Sequence, residues 1–250
     1  MNAILEEPTT IVYPSSDGKP MAETEIHIMA IVELLHSLKA FFRDRPDVFV
    51  IADMFWYWKE GRTKTIAPDL MVVPGVGNDH RRRSFFTWRE NGAVPAVVFE
   101  IASQGTWRKD LTSKRRMYER RGVKEYFIFD PENLYLPEGP LLGFRLDGIR
   151  YRTLLPTDGT LRSDLGFDLR PEGEMLRLID RSTGIPIPTP AETMERAYQA
   201  EEQARVAEEQ ARVAEESARR EAGQSAQLRA EIERLKAMLA KSGSQNGNGP

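Results

Sequence analysis

The chain contains no cysteine, which excludes disulfide scaffolds and thiolate metal centres and agrees with a reducing compartment. Histidine is scarce too: His27, His36 and His80 are scattered too widely to suggest a zinc hydrolase. Any metal is therefore expected to be a hard cation on oxygen ligands. Neither sign of charge dominates. A formal net charge of −3 exerts no global pull toward nucleic acid or anionic membrane, so DNA binding would need a local basic patch. No apolar run approaches membrane-spanning length. The opening MNAILEEPTT lacks the basic start and apolar segment of a signal peptide. A soluble cytoplasmic protein is expected.

What is present reads as alternating structure. Residues 1–22 are polar and broken by Pro8, Pro14, Gly18 and Pro20, which predicts a flexible arm. Beyond it, Ile28, Ile31, Leu35, Leu38 and Phe42 recur at helical spacing, predicting one apolar stripe. Thr24 or Glu23 serves the first turn and Arg45-Pro46 ends the helix. Glu25 and His27, at its start, are candidate auxiliary residues of a site, with a solvated helix face as the plain reading of Glu25.

Residues 48–58, VFVIADMFWYW, predict a strand, turned at Glu60-Gly61 into a second over 65–73. The run Phe55-Trp56-Tyr57-Trp58 reads as half core and half surface, with base stacking as the alternative. Residues 74–91 predict a loop. Its Arg81-Arg82-Arg83 either contacts phosphates or forms a solvated charge run.

Residues 94–101 are almost all apolar, as in a strand buried on both faces. Glu100 interrupts them. Burying a lone carboxylate is costly unless it is paired, hydrogen-bonded or bound to a metal, so Glu100 marks a candidate site. Asp69 stands in a similar place before Leu70-Met71-Val72-Val73. A helix over 106–121 follows, capped by Thr106 and stopped by Gly122. Asp110, Lys114 and Tyr118 recur every fourth residue on one of its faces. Taken alone, Asp110 and Lys114 read as an exposed ion pair. Beside two strand-borne carboxylates they suggest a centre that holds a divalent cation and cuts a phosphodiester.

Residues 124–130 predict another core strand. Segments 141–146, 151–155 and 161–169 read as a peripheral meander with a hairpin at Asp147-Gly148. Residues 175–180 and the proline-punctuated 181–190 lead out of the domain. The tail then changes character, with EEQARVA repeated in tandem. Ala197, Ala200, Ala204, Ala207, Ala211, Ala214 and Ala218 continue into Ser225, Leu228, Ile232, Leu235 and Leu239, a coiled-coil register with an expected break at Gly223. The chain thus divides into an arm (1–22), a domain (23–190), a coiled-coil helix (191–241) and a disordered tail (242–250).

The ordered set Ala67-Pro68-Asp69, Phe99-Glu100-Ile101-Ala102-Ser103, Asp110, Lys114, Tyr118 and Gly122-Val123-Lys124-Glu125-Tyr126 resembles the Uma2 family. These are restriction-endonuclease-like proteins of the PD-(D/E)XK nuclease superfamily, and the resemblance runs from about His27 to about Glu192. It implies an α/β fold with a central mixed sheet flanked by helices. It also implies Mg²⁺ or Mn²⁺ held by Asp69, Glu100 and the backbone carbonyl of Ile101. The superfamily's lysine would stand at Ala102; the resemblance implies that Lys114 replaces it. Arg108, Lys109, Arg115 and Arg116 then form a candidate DNA-backbone patch. The expected function is metal-dependent DNA hydrolysis by a homodimer joined through its tail. The alternative is an inactive nuclease-fold scaffold that recruits a partner through the coiled coil.

Overall fold

The computed structural model describes residues 13–14, 24–77 and 80–245, with side chains to residue 238. The expected arm lies outside them except at Tyr13 and Pro14. In chain order the elements are α1 (Glu25–Phe41), β1 (Val48–Ala52), β2 (Trp56–Tyr57), β3 (Leu70–Pro74), β4 (Phe85–Phe86) and β5 (Val97–Ile101). A helical crossover follows, made of α2 (Trp107–Lys109), a π-helical turn (Asp110–Lys114) and α3 (Arg115–Arg121). Next come β6 (Glu125–Phe129), β7 (Leu141–Asp147), β8 (Arg150–Thr153), β9 (Leu161–Arg162), β10 (Phe167–Glu172), β11 (Met175–Asp180), β12 (Ile185–Pro186) and α4 (Pro190–Gln245).

A six-stranded sheet in the order β1-β3-β5-β6-β7-β8 forms the centre. Only β5 and β6 are parallel; the other neighbours are antiparallel. A parallel pair needs a crossover, and the α2–π–α3 segment supplies it. Gly122 ends that helix in the left-handed region (φ 79°), as expected of a C-terminal glycine. The expected mixed sheet with flanking helices is therefore the observed architecture.

Alternation along the strands sorts two cores. Leu70, Val72, Val97, Phe99, Ile101, Phe127 and Phe129 face α1, while Met71, Val73, Val98, Ala102, Tyr126 and Ile128 face α3 with Trp56 and Tyr118. The α1 stripe is rotated from expectation. His27, Ala30, Leu34, Ser37 and Leu38 are its buried face, Ile31 and Leu35 lie on the flank, and Ile28 is 50% exposed. Small Ala30 and Ser37 belong to that buried face, which apolar spacing does not reveal.

Four further expectations change. The strand predicted over 48–58 breaks at Asp53, whose φ of 46° ends β1. Trp56 and Tyr57 leave the central sheet to pair in parallel with β4. Both are fully buried, so the middle of the aromatic run is core rather than half surface. The segments after β8 are not peripheral either. Strands β12-β11-β10-β9 form a second sheet, and Phe167, Leu169, Leu176 and Leu178 join the α1 core. Residues 175–180 are thus a core strand and not an exit. Their two-residue alternation of Leu176 and Leu178 carries the burial.

Beyond Pro190 the contacts form a separate unit, Ala191–Pro250. Helix α4 runs through Gly223 without a break and reaches Gln245. One interior glycine costs a helix only about 1 kcal/mol, and the helix formers around it carry the turn. Residues 242–245 of the expected tail are therefore helical, and 246–250 lie outside the described residues. Intrahelical pairs Arg205–Glu202, Arg212–Glu209, Arg212–Glu216 and Lys236–Glu233 line the helix. Among the described residues no helix is long and apolar enough to cross a membrane.

Candidate active site

Antiparallel pairing of Leu70 with Phe99 sets Asp69 and Glu100 across from each other, one step further along the ladder. Strand parity turns Glu100 toward α3 with Val98 and Ala102. Asp69 Oδ2 accepts the Ile101 backbone N–H at 2.6 Å, so the backbone of Ile101 lies against this carboxylate. The two acids therefore meet because two strands are in register.

The crossover brings the other groups. Lys114 Nζ donates to Glu100 Oε2 at 2.7 Å and lies 2.8 Å from Asp110 Oδ1. Asp110 Oδ1 is thereby paired with the ammonium, while Asp110 Oδ2 is buried with no hydrogen-bond partner. Tyr118 donates its hydroxyl to the other Glu100 oxygen at 2.6 Å, and Tyr126 donates to the Asp110 carbonyl at 3.1 Å. Glu100 and Asp110 are fully buried, whereas the Lys114 side chain keeps 20% of its exposure. The pair that taken alone reads as exposed is thus part of a buried cluster, as its place beside two strand carboxylates suggested.

Position within the crossover explains this. The helix expected over 106–121 winds as a π turn at Asp110–Lys114, a local widening often found at functional positions. Thr106 does not cap it as expected. Its hydroxyl instead accepts the Ser103 N–H at 3.4 Å and lies 3.0 Å from the Ser103 hydroxyl, because the loop after β5 needs the same oxygen.

Charge in the cluster is unbalanced. Asp69, Glu100 and Asp110 interact with one another and with Lys114, so three carboxylates share one ammonium. Burial, opposed by Lys114 and the Ile101 amide, pushes Asp69 up to about 6. Burial and then the Asp69 charge push Glu100 well above the usual carboxylate range. For Lys114 the desolvation that favours deprotonation is outweighed by Glu100 and Asp110, and its pKa rises. Burial and then the Glu100 charge hold the Tyr118 proton in place. Each shift has the same sense: the cluster takes up positive charge.

Among the described residues no three His, Cys, Asp or Glu side chains are grouped as a ready-made metal cage. Magnesium does not require one, since it binds through one or two carboxylates and keeps several waters. All-oxygen donors and Asp110 Oδ2, buried without a hydrogen-bond partner, fit a hard divalent cation, whose charge would favour the ionised forms of Asp69 and Glu100.

The remaining candidates divide. His27 is buried, with Nε2 3.9 Å from Asp69 Oδ2. Glu25 is exposed on the first turn of α1. Arg108 lies over the Trp107 ring at 4.4 Å and Arg115 over Phe144 at 4.4 Å. Arg108, Lys109 and Arg116 are exposed. The sequence reading missed Trp56 as a support of the site. Its ring lies parallel to that of Tyr118 (3° between planes, 6.5 Å between centroids), and its Nε1 donates to Thr87 Oγ1 at 2.9 Å. A tryptophan in an aromatic run gave no sign of which partner it meets.

The sequence pattern of the Uma2 family, described as "Putative restriction endonuclease", matches residues 5–168. The chain belongs to the Uma2 family. Within that match lie both strand carboxylates, the π turn and Tyr118. Among solved structures, the chain is similar to a "putative nuclease belonging to DUF820" from Anabaena variabilis ATCC 29413. That likeness has 13% identity and a TM-score of 0.43, covering 59% of this chain and 76% of that one. No curated protein matches.

Proposed function

We propose that this Uma2 protein is a metal-dependent endonuclease that hydrolyses DNA phosphodiester bonds at Asp69, Glu100 and Lys114. One observation carries the reading: three carboxylates from β3, β5 and the crossover share a single, partly exposed lysine (20%). A purely structural cluster would gain little from such an imbalance, because uncompensated buried charge is destabilising. Family membership supports the same reading.

In this account Asp69, Glu100 and the Ile101 carbonyl hold Mg²⁺ or Mn²⁺. When bound, the cation polarises the phosphodiester and acidifies a water. The chain's own groups do the rest. Tyr118 and Lys114 fix opposite oxygens of Glu100 and so set its rotamer. Lys114, reachable from solvent, also stands where it can offset negative charge growing on the phosphoryl oxygens. Asp110 holds that ammonium in place from the other side. Arg108, Lys109, Arg115 and Arg116 engage the DNA backbone.

Helix α4 makes the protein a homodimer in the same proposal, so that two sites can address two strands. Leu228, Ile232 and Leu235 remain more than half exposed (60%, 51% and 54%), and a coiled-coil partner would cover them. The same exposed residues favour the second reading, a scaffold whose tail docks another protein.

The test is plasmid cleavage in the presence and absence of Mg²⁺. Asp69→Asn and Glu100→Gln should abolish metal-dependent cutting while leaving a cooperative thermal transition. Cleavage by Glu100→Gln at the wild-type rate would refute the assignment.

A further inference from the structure

By sequence Arg81-Arg82-Arg83 fit either phosphate contact or a solvated charge run, and their surroundings distinguish the two. Arg82 turns inward. Its guanidinium bonds Glu90 at 2.6 and 3.2 Å and lies 4.7 Å from the Phe49 ring centroid, with 4% of the side chain exposed. Glu90 also meets His80 at 3.8 Å, so this carboxylate is occupied. Arg81 and Arg83, on either side of the inward Arg82, are exposed and have no acidic partner among the described residues. Arg89 lies over the Phe86 ring at 4.5 Å and likewise has no acidic partner there. All of them line one cavity of about 500 Å³, with Tyr13 and Phe86 in its wall.

The aromatic wall decides the kind of ligand. Phe86 is stacked on Tyr57 at 5.2 Å, packed by Trp88 at 5.1 Å and met edge-on by Tyr13 at 5.5 Å. With Arg89 above it, the ring offers no free face on which a base could stack. What the cavity does offer is exposed guanidinium charge with no acidic partner among the described residues, which suits phosphate oxygens. The wall is also tied to the site. Tyr57 follows Trp56, whose ring lies parallel to that of Tyr118, and Tyr118 holds Glu100.

We infer that Arg81, Arg83 and Arg89 form a second, sequence-independent phosphodiester-backbone contact that holds DNA away from the scissile bond. This rests on the nuclease reading for the identity of the polymer, and its test does not require cleavage. Binding of a fluorescent DNA duplex is measured in EDTA, as a function of salt, for the full chain and for Arg81→Ala/Arg83→Ala. Removing two phosphate contacts should reduce the slope of log K against log salt by roughly 2 and weaken binding roughly 10- to 30-fold at physiological salt. The loss should be equal for duplexes of unrelated sequence. An unchanged slope and affinity would overturn the inference, as would a loss confined to one sequence, which would mean base reading. Absence of DNA binding by the full chain would overturn it too. If cleavage fails but the salt slope falls as stated, the catalytic reading alone is at fault.

Discussion

The hydroxyl of Tyr118 stands 2.6 Å from Glu100 Oε1, the oxygen that Lys114 does not reach. Each residue comes from the crossover and each binds one side of a carboxylate carried by β5. The register of β3 against β5 brings Asp69 to the same place. Position in the sheet, turn of the helix and charge of the cluster are therefore coupled.

Removing the tyrosine hydroxyl leaves a fully buried carboxylate oxygen without its donor. Tyr118→Phe should cost about 1–3 kcal/mol, and thermal unfolding of the metal-free protein should show a fall of several degrees, at roughly 2–4 °C per kcal/mol. The loss should shrink when Mg²⁺ is added, because the cation takes over the orientation of Glu100. An equal loss with and without Mg²⁺ would separate the tyrosine from the metal site.

The pH dependence of stability follows from the raised carboxylates. Asp69 ionises at about 6 in the folded protein and near 3.9 in an unfolded chain. Between those values the folded state keeps a proton that the unfolded state has released. Metal-free stability therefore falls as pH rises through this window, by up to about 3 kcal/mol for a shift of about two units. Glu100 acts in the same direction. Urea unfolding at pH 4.5 and pH 7 should show the protein more stable at the lower value, and stabilisation by Mg²⁺ should be larger at the higher one. Stability rising over this interval would contradict the buried-carboxylate account.

Much of this arrangement is written in local pattern. Glu100 stands out because everything around it in β5 is apolar, and Gly122 stops the helix for a reason of backbone geometry alone. Asp69 is marked by its place at the head of β3. What local pattern does not carry is partner identity. Ala30 and Ser37 are on the buried face of α1, and nothing in their spacing shows it. Likewise Glu125 looks like an ordinary polar residue, yet it is buried and receives Arg145 at 2.7 Å, Ser163 at 2.5 Å and the Asp164 N–H at 3.0 Å. Its partners lie 20 to 39 residues away, beyond the reach of any window. The π turn at Asp110–Lys114 likewise has no marker in the local pattern.

Gly143 tests the packing between the two sheets. A Cβ at this position would lie 2.8 Å from Leu161 Cδ1 and 3.0 Å from the Phe127 ring. Gly143→Ala should destabilise the domain by about 1–3 kcal/mol through overpacking, read as a lower unfolding midpoint in urea with an unchanged m-value. A neutral effect would show that Leu161 has room to move.

The tail is tested by assembly. Ending the chain at Thr189 should give a monomer by light scattering, and replacing Leu228, Ile232 and Leu235 with lysine in the full chain should do the same. If the shortened protein remains dimeric, another surface joins the subunits.

The most direct measurement of the central claim is the anomalous scattering of Mn²⁺ soaked into crystals of the protein. The account predicts a peak bounded by Asp69, Glu100 and the Ile101 carbonyl, lost in Glu100→Gln. Full Mn²⁺ occupancy at another site, with Lys114 still seated against Glu100 and no density between the two strand carboxylates, would contradict it.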